Sequence, residues 1–131
     1  MKSNITTGEI LHLEDFTTSK HGIQYKIIKP SDQSKPQVGD TVTVHYAGCL
    51  LKGTNQVGQQ FDSSIGRGEP FEFTLGFGQV IKGWDISLAD MKIGEERIVL
   101  LPANLAYGNR SVSIIPANAT LIFDIKLLAA E

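Results

Sequence analysis

Most aromatic side chains of this 131-residue chain stand at the ends of short apolar stretches or beside Gly and Pro, with the carboxylate of Asp62 set between Phe61 and two serines. The stretches are Val44-His45-Tyr46-Ala47-Gly48, Phe61-Asp62-Ser63-Ser64, Pro70-Phe71-Glu72-Phe73, Val80-Ile81-Lys82-Gly83-Trp84, Leu105-Ala106-Tyr107-Gly108 and Leu121-Ile122-Phe123-Asp124. Element ends beside turn residues are where pockets open. An aromatic pocket holding one carboxylate and no acid–base pair suits a reaction that breaks no covalent bond. Rotation about an X-Pro amide is one such reaction, slowed only by the resonance of the peptide bond.

Other chemistries fit less well. His12, His21 and His45 lie far apart, and none has a second His or Cys at ligand spacing, so no metal site is expected. Gly76-Phe77-Gly78 follows an apolar stretch, but position 81, where a dinucleotide fingerprint needs its third glycine, is Ile81. Cys49 has no base close by, and Ser63-Ser64 lacks the strand–turn–helix setting of an activated serine. Glu95-Glu96 follows Gly94 and reads as a solvated turn. Asp62 has two readings of equal weight in the sequence: an Asx turn accepting the backbone N–H two residues on, or a pocket carboxylate orienting a neighbouring hydroxyl.

The elements that must position these residues are mostly strands. Period-2 alternation of apolar and polar residues marks Ile23–Ile27, Thr41–Tyr46, Phe71–Leu75, Ile98–Leu100 and Leu121–Leu127 as five strands, most of them half-buried. Ile81, Trp84, Leu88 and Met91 recur at three- and four-residue steps and predict one helix from Val80 to about Lys92, stopped by Gly94. One helix cannot cover both faces of such a sheet. The economical arrangement is α+β: a curved antiparallel sheet closing its concave face over that helix, with Trp84 at the base of the remaining cavity. Residues 1–21 read as an N-terminal extension and 22–131 as the domain. For the extension a tail ranks ahead of a small extra strand, and that ahead of a dimerising segment.

Composition removes further classes. The 12 Lys and Arg are scattered and the net charge is -2, which gives no basic face for nucleic acid. No apolar run approaches a membrane span, and the first nine residues carry no apolar core of a signal peptide. With Cys49 as the one cysteine, no intrachain disulfide can form, so a reducing, cytoplasmic location is expected. The chain is expected to be a monomer.

Taken in order, the segments resemble the FKBP-type peptidyl-prolyl cis/trans isomerases from about Gly22 to Leu128. The resemblance rests on the Tyr46, Phe61-Asp62 and Trp84 segments together with Leu105-Ala106-Tyr107-Gly108, Ile114-Ile115-Pro116 and Thr120-Leu121-Ile122-Phe123-Asp124. It implies a five- to six-stranded antiparallel sheet wrapped around one short helix, and rotamase activity assisting protein folding without a cofactor or metal. A non-catalytic module on the same fold, binding proline peptides or acting as a chaperone, is the alternative. Trp84 would be the pocket floor and Tyr46, Phe61, Phe71 and Phe123 its walls, flanked by Val80, Ile81 and Ile115. Asp62 would hydrogen-bond within the pocket, and the Tyr107 hydroxyl and Ile81 N–H would hold ligand carbonyls. Implied partners are proline-containing peptides and proteins and the macrolides tacrolimus and rapamycin, with no nucleic acid or membrane. Two segments depart from the family pattern. Leu51–Gly58 lengthens the hairpin after Tyr46, and Asn109–Ser113 replaces a His-Pro-Gly-type loop that is one residue longer.

Overall fold

The computed structural model describes residues 2–131. Its strands are β1 (Thr17–Thr18), β2 (Gln24–Lys29), β3 (Thr41–Lys52), β4 (Gln56–Ser63), β5 (Phe71–Thr74), β6 (Glu96–Leu101) and β7 (Leu121–Ala130). Helix α1 (Ser64–Arg67) is a single turn and α2 (Lys82–Asp90) is the one longer helix. The strands form one antiparallel sheet in the order β1-β2-β6-β7-β3-β4, with β5 paired to the first part of β3. The sheet curves around α2, as the alternation requires: Val42, Val44, Tyr46, Phe123, Ile125 and Leu127 point inward and pack with Trp84, Leu88 and Met91 in the main core.

Helix α2 is shorter than its periodicity predicts. Met91 is already extended, with φ -80° and ψ 151°, and stays fully buried, so its apolar side chain belongs to the core without belonging to the helix. Gly83 lets α2 come close to the sheet, since a Cβ there would stand 2.7 Å from both methyls of Leu101.

Two regions differ from the sequence expectation. Residues 56–63 form a full strand, so Leu51–Gly58 is an extension of the β3–β4 hairpin around a three-residue turn. The N-terminal residues then dock on that extension as a strap. The Gly8 N–H donates to the Val57 carbonyl at 2.7 Å, the Val57 N–H to Glu9 at 2.8 Å, and the Leu11 N–H to Asn55 at 2.7 Å. These bonds cover the free edge of β4, an edge that would otherwise expose a row of unpaired backbone groups. Ile5 and Leu11 of the strap are buried against Cys49, Val57, Ile98, Leu100 and Ile122, a second apolar cluster on the outer face of the sheet. The expectation of half-buried strands therefore fails for β6 and β7. Every residue of β6 is buried, and Ile122 and Asp124 are wholly so, because the strap covers the face that alternation alone leaves to solvent.

Candidate functional site

The site begins with a bulge. β3 and β4 pair Gly48 with Asp62 and then Cys49 with Gln60, so Phe61 is the extra residue on β4. In an unbroken strand Phe61 and Asp62 would face opposite sides; a bulge bends the strand and re-aims its side chains. Both line one cleft. Gly48 makes room for the Phe61 and Phe123 rings, since a Cβ at that position would lie 2.7 Å from the Phe123 ring and 2.8 Å from that of Phe61.

The cleft holds about 250 Å³. β3 contributes Tyr46, β4 Phe61 and Asp62, β5 Phe71 and β7 Phe123, while Gln79, Val80 and Ile81 form the approach to α2. Trp84 from the first turn of α2 is the floor and Tyr107 stands at the rim, after a short 3₁₀ turn at Ala103–Leu105. The rings meet edge to face around the indole. Tyr46 lies 4.8 Å and Phe123 5.4 Å from Trp84, and Phe61 meets Phe123 at 5.6 Å, centroid to centroid. Such pairs set the positive ring edge against the negative ring face and hold the walls in fixed orientations. The indole Nε1 is buried and has no hydrogen-bond partner among the described residues.

Polarity in the cleft is concentrated in one network. The Tyr46 hydroxyl donates to Asp62 Oδ2. Arg67 Nη1 donates to Asp62 Oδ1 at 2.5 Å and Arg67 Nη2 to the Tyr46 hydroxyl at 3.1 Å. The Ser63 N–H donates to Asp62 Oδ1 at 2.9 Å, so the Asx turn to residue 64 does not form; the N–H that Ser63 Oγ accepts is that of Gly66, capping α1. Ser64 Oγ in turn accepts the Tyr46 N–H at 2.7 Å, which fixes β3 against α1. Burial pushes the Asp62 carboxyl up, but the Tyr46 hydroxyl, the Arg67 guanidinium and the Ser63 N–H outweigh it and hold it below the usual carboxylate range. Burial and the Asp62 carboxylate together hold the Tyr46 phenol above its ordinary value, against the opposing pull of Arg67. Asp62 is therefore an anion and Tyr46 a neutral phenol at neutral pH.

Nine of the residues anticipated from the sequence meet at this cleft: Tyr46, Phe61, Asp62, Phe71, Val80, Ile81, Trp84, Tyr107 and Phe123. Ile115 does not line it. It is buried in the main core, and its backbone pairs with Val112. Gln79 and Arg67 were not anticipated. Arg67 sits between Gly66 and Gly68 in an otherwise unremarkable turn, and the one signal for it was the uncompensated charge of Asp62 five residues earlier. Among the described residues no cluster of three or more metal-binding side chains occurs. Burial pushes the Cys49 thiol up, away from the reactive thiolate. A second, larger cavity of about 390 Å³ lies on the other flank of α2, but its wall residue Arg97 is already paired with Glu95 at 2.7 Å and Asp90 at 2.9 Å and stacked on Tyr25.

A curved antiparallel sheet wrapped on one short helix, with an indole-floored aromatic cleft between them, defines an FKBP-like domain. The family described as FKBP-type peptidyl-prolyl cis-trans isomerase matches residues 32–128. The chain is 47% identical over 108 residues to FK506-binding protein 1 of Dictyostelium discoideum, a match covering 82% of this chain and 96% of that protein. It is 56% identical over 94 residues to FK506-binding protein 1A of Neurospora crassa, covering 71% and 74% of the two chains. Among solved structures, AtFKBP13 superposes with a TM-score of 0.80 at 32% identity, covering 88% of this chain and 98% of that one. FkpA from Escherichia coli superposes with a TM-score of 0.79 at 37% identity, covering 90% of this chain and 52% of that one. The chain belongs to the FKBP family, and it is a peptidyl-prolyl cis-trans isomerase.

Proposed function

We propose that the cleft accelerates X-Pro rotation in peptides and unfolded proteins by favouring a twisted amide over the planar one, without proton transfer. Rotation must cross about 18–20 kcal/mol of lost resonance. The planar amide is the more polar form and is better solvated by water; the twisted form has lost most of its charge separation. A cleft walled by Tyr46, Phe61, Phe71 and Phe123 therefore costs the ground state more than the transition state. The proline ring stacks over Trp84, and the Tyr107 hydroxyl and Ile81 N–H hold the flanking carbonyls. Each 1.4 kcal/mol of preference for the twisted state gives about tenfold in rate, so a million-fold effect needs about 8 kcal/mol.

The observation that carries this reading is the closed Tyr46–Asp62–Arg67 network. The charged groups of the cleft satisfy one another, and neither Asp62 nor Tyr46 is held near neutral pH. Asp62 organises the wall and transfers no proton. FK506 binding, which the curated relatives carry in their names, is proposed for the same cleft, with residues 22–131 as the isomerase domain and 1–21 as an addition to it.

The test is a protease-coupled isomerisation assay on a Leu-Pro or Phe-Pro peptide. It is expected to show turnover with a rate constant flat from about pH 6 to about pH 8. A bell-shaped profile in that interval would establish acid–base chemistry and overturn the mechanism. FK506 binding without turnover would identify a binding module instead.

A further inference from the structure

On the outer face of the sheet, back to back with the cleft, lies a pair of carboxyls with no role in the isomerase site. Phe123 points into the cleft and its neighbour Asp124 points the other way, wholly buried, with Glu96 of the adjacent strand 7% exposed beside it. Glu96 lies on the same strand two residues before Ile98, the register partner of Asp124, which sets the two carboxyls diagonally across β6 and β7. The strap ends on this pair. The Asn4 N–H donates to Asp124 Oδ2 at 2.6 Å and the Asn4 side-chain amide donates to Glu96 Oε2. Asp124 Oδ1 is buried with no partner among the described residues.

Among the described residues the surroundings supply no compensating cation. Lys126 of β7 lies opposite Glu96 in register, and His45 of β3 opposite Lys126. Lys29 of β2 also lies opposite Glu96, with Lys26 opposite Ile98. None of these comes within ion-pairing distance of Glu96 or Asp124 among the described residues. His45 bonds the Ser64 hydroxyl instead, and Lys2, the titratable group nearest Asn4 along the strap, is exposed. Two adjacent buried carboxyls without a cation cannot both be charged cheaply.

We propose that Glu96 and Asp124 form a proton-operated latch for the N-terminal strap. With one proton shared between the two carboxyls, Asn4 seats on the pair and the strap is shut. When that proton leaves, the second buried charge is relieved by water entering beneath Asn4, and residues 4–11 lift from the outer face. Burial first, and then Glu96, push the Asp124 carboxyl up to about 7, against the two donors of Asn4. In the open strap the same carboxyl is hydrated and ordinary. Opening therefore becomes easier as pH rises from the ordinary carboxylate range towards neutral, and levels off above it.

Amide hydrogen exchange on the full chain tests this, with intrinsic base-catalysed rates divided out. The reporters are the Gly8, Leu11 and Val57 amides, whose bonds hold the strap to β4. Their protection is expected to fall at least about tenfold between pH 5 and pH 7, well ahead of the Ile125 amide in the sheet centre. Asp124→Asn keeps the shape and is expected to abolish the response; Glu96→Gln leaves Asp124 buried without its neighbouring charge and is expected to shrink the response, which serves if the first variant does not fold. Constant protection in the wild type overturns the latch. So does a loss that only keeps step with Ile125, or a full wild-type response in Asp124→Asn or, where that variant does not fold, in Glu96→Gln.

Discussion

The two faces of the sheet treat the same side chain in opposite ways. On the concave face Asp62 is half-exposed and ringed by an arginine, a phenol and a backbone N–H, and it is held anionic. On the outer face Asp124 is fully buried beside another carboxylate, with Asn4 as its one donor among the described residues, and it holds its proton up to about neutral pH. Burial raises both. What differs is whether a cation is present to outweigh it. The concave face can thus work at constant charge, while the outer face changes charge in the physiological range.

The largest expected difference comes from the indole. Trp84→Ala empties the floor of the cleft and opens the main core, and should cost about 3–5 kcal/mol in denaturant unfolding as well as abolishing turnover. A loss below 1 kcal/mol would mean that the concave face is not built on Trp84.

Next is the proton on Asp124. The folded chain holds it from about pH 4 to about pH 7, where the unfolded chain has released it, so stability falls as pH rises across that window. A shift from 3.8 to about 7 corresponds to at most about 4 kcal/mol. Urea unfolding at several pH values should show this loss in the wild type and its absence in Asp124→Asn. The isomerisation profile measured in that same variant isolates the cleft from the outer face, and should stay flat.

Leu11→Ala removes one of the two buried apolar contacts of the strap and should cost about 2–3 kcal/mol with kcat/KM unchanged, because the outer cluster does not line the cleft. A matching loss of activity would show that the two faces communicate. The smallest effect is expected for Asp62→Asn. Arg67 and Tyr46 keep their positions but lose the anion, and kcat/KM should fall about tenfold in the coupled assay, equivalent to about 1.4 kcal/mol. A drop of a thousandfold or more would give Asp62 a direct part in the chemistry.

The main sheet was legible because alternation is a local code. Thr41–Tyr46 and Leu121–Leu127 assign inward and outward positions whatever lies on either side. β4 was not legible. Gly58, Gln59 and Gln60 carry little apolar signal, and the strand exists because β3 on one edge and the strap on the other pair with its backbone. The aromatic walls of the cleft could be named from type and position. Their convergence depends on the bulge at Phe61 and the bare Cα of Gly48, and Arg67 joins them only through the turn of α1.

Asp124 draws the line between the two kinds of information. Its place in the alternating run of β7 determined that it points away from Phe123 and out of the cleft. Which medium it points into was decided by residues 4–11, folded back from the other end of the chain, and by Glu96 on the neighbouring strand. Side-chain direction follows from bonded geometry between neighbouring residues. Solvation, and with it the charge a carboxyl carries, depends on what the whole fold packs over it.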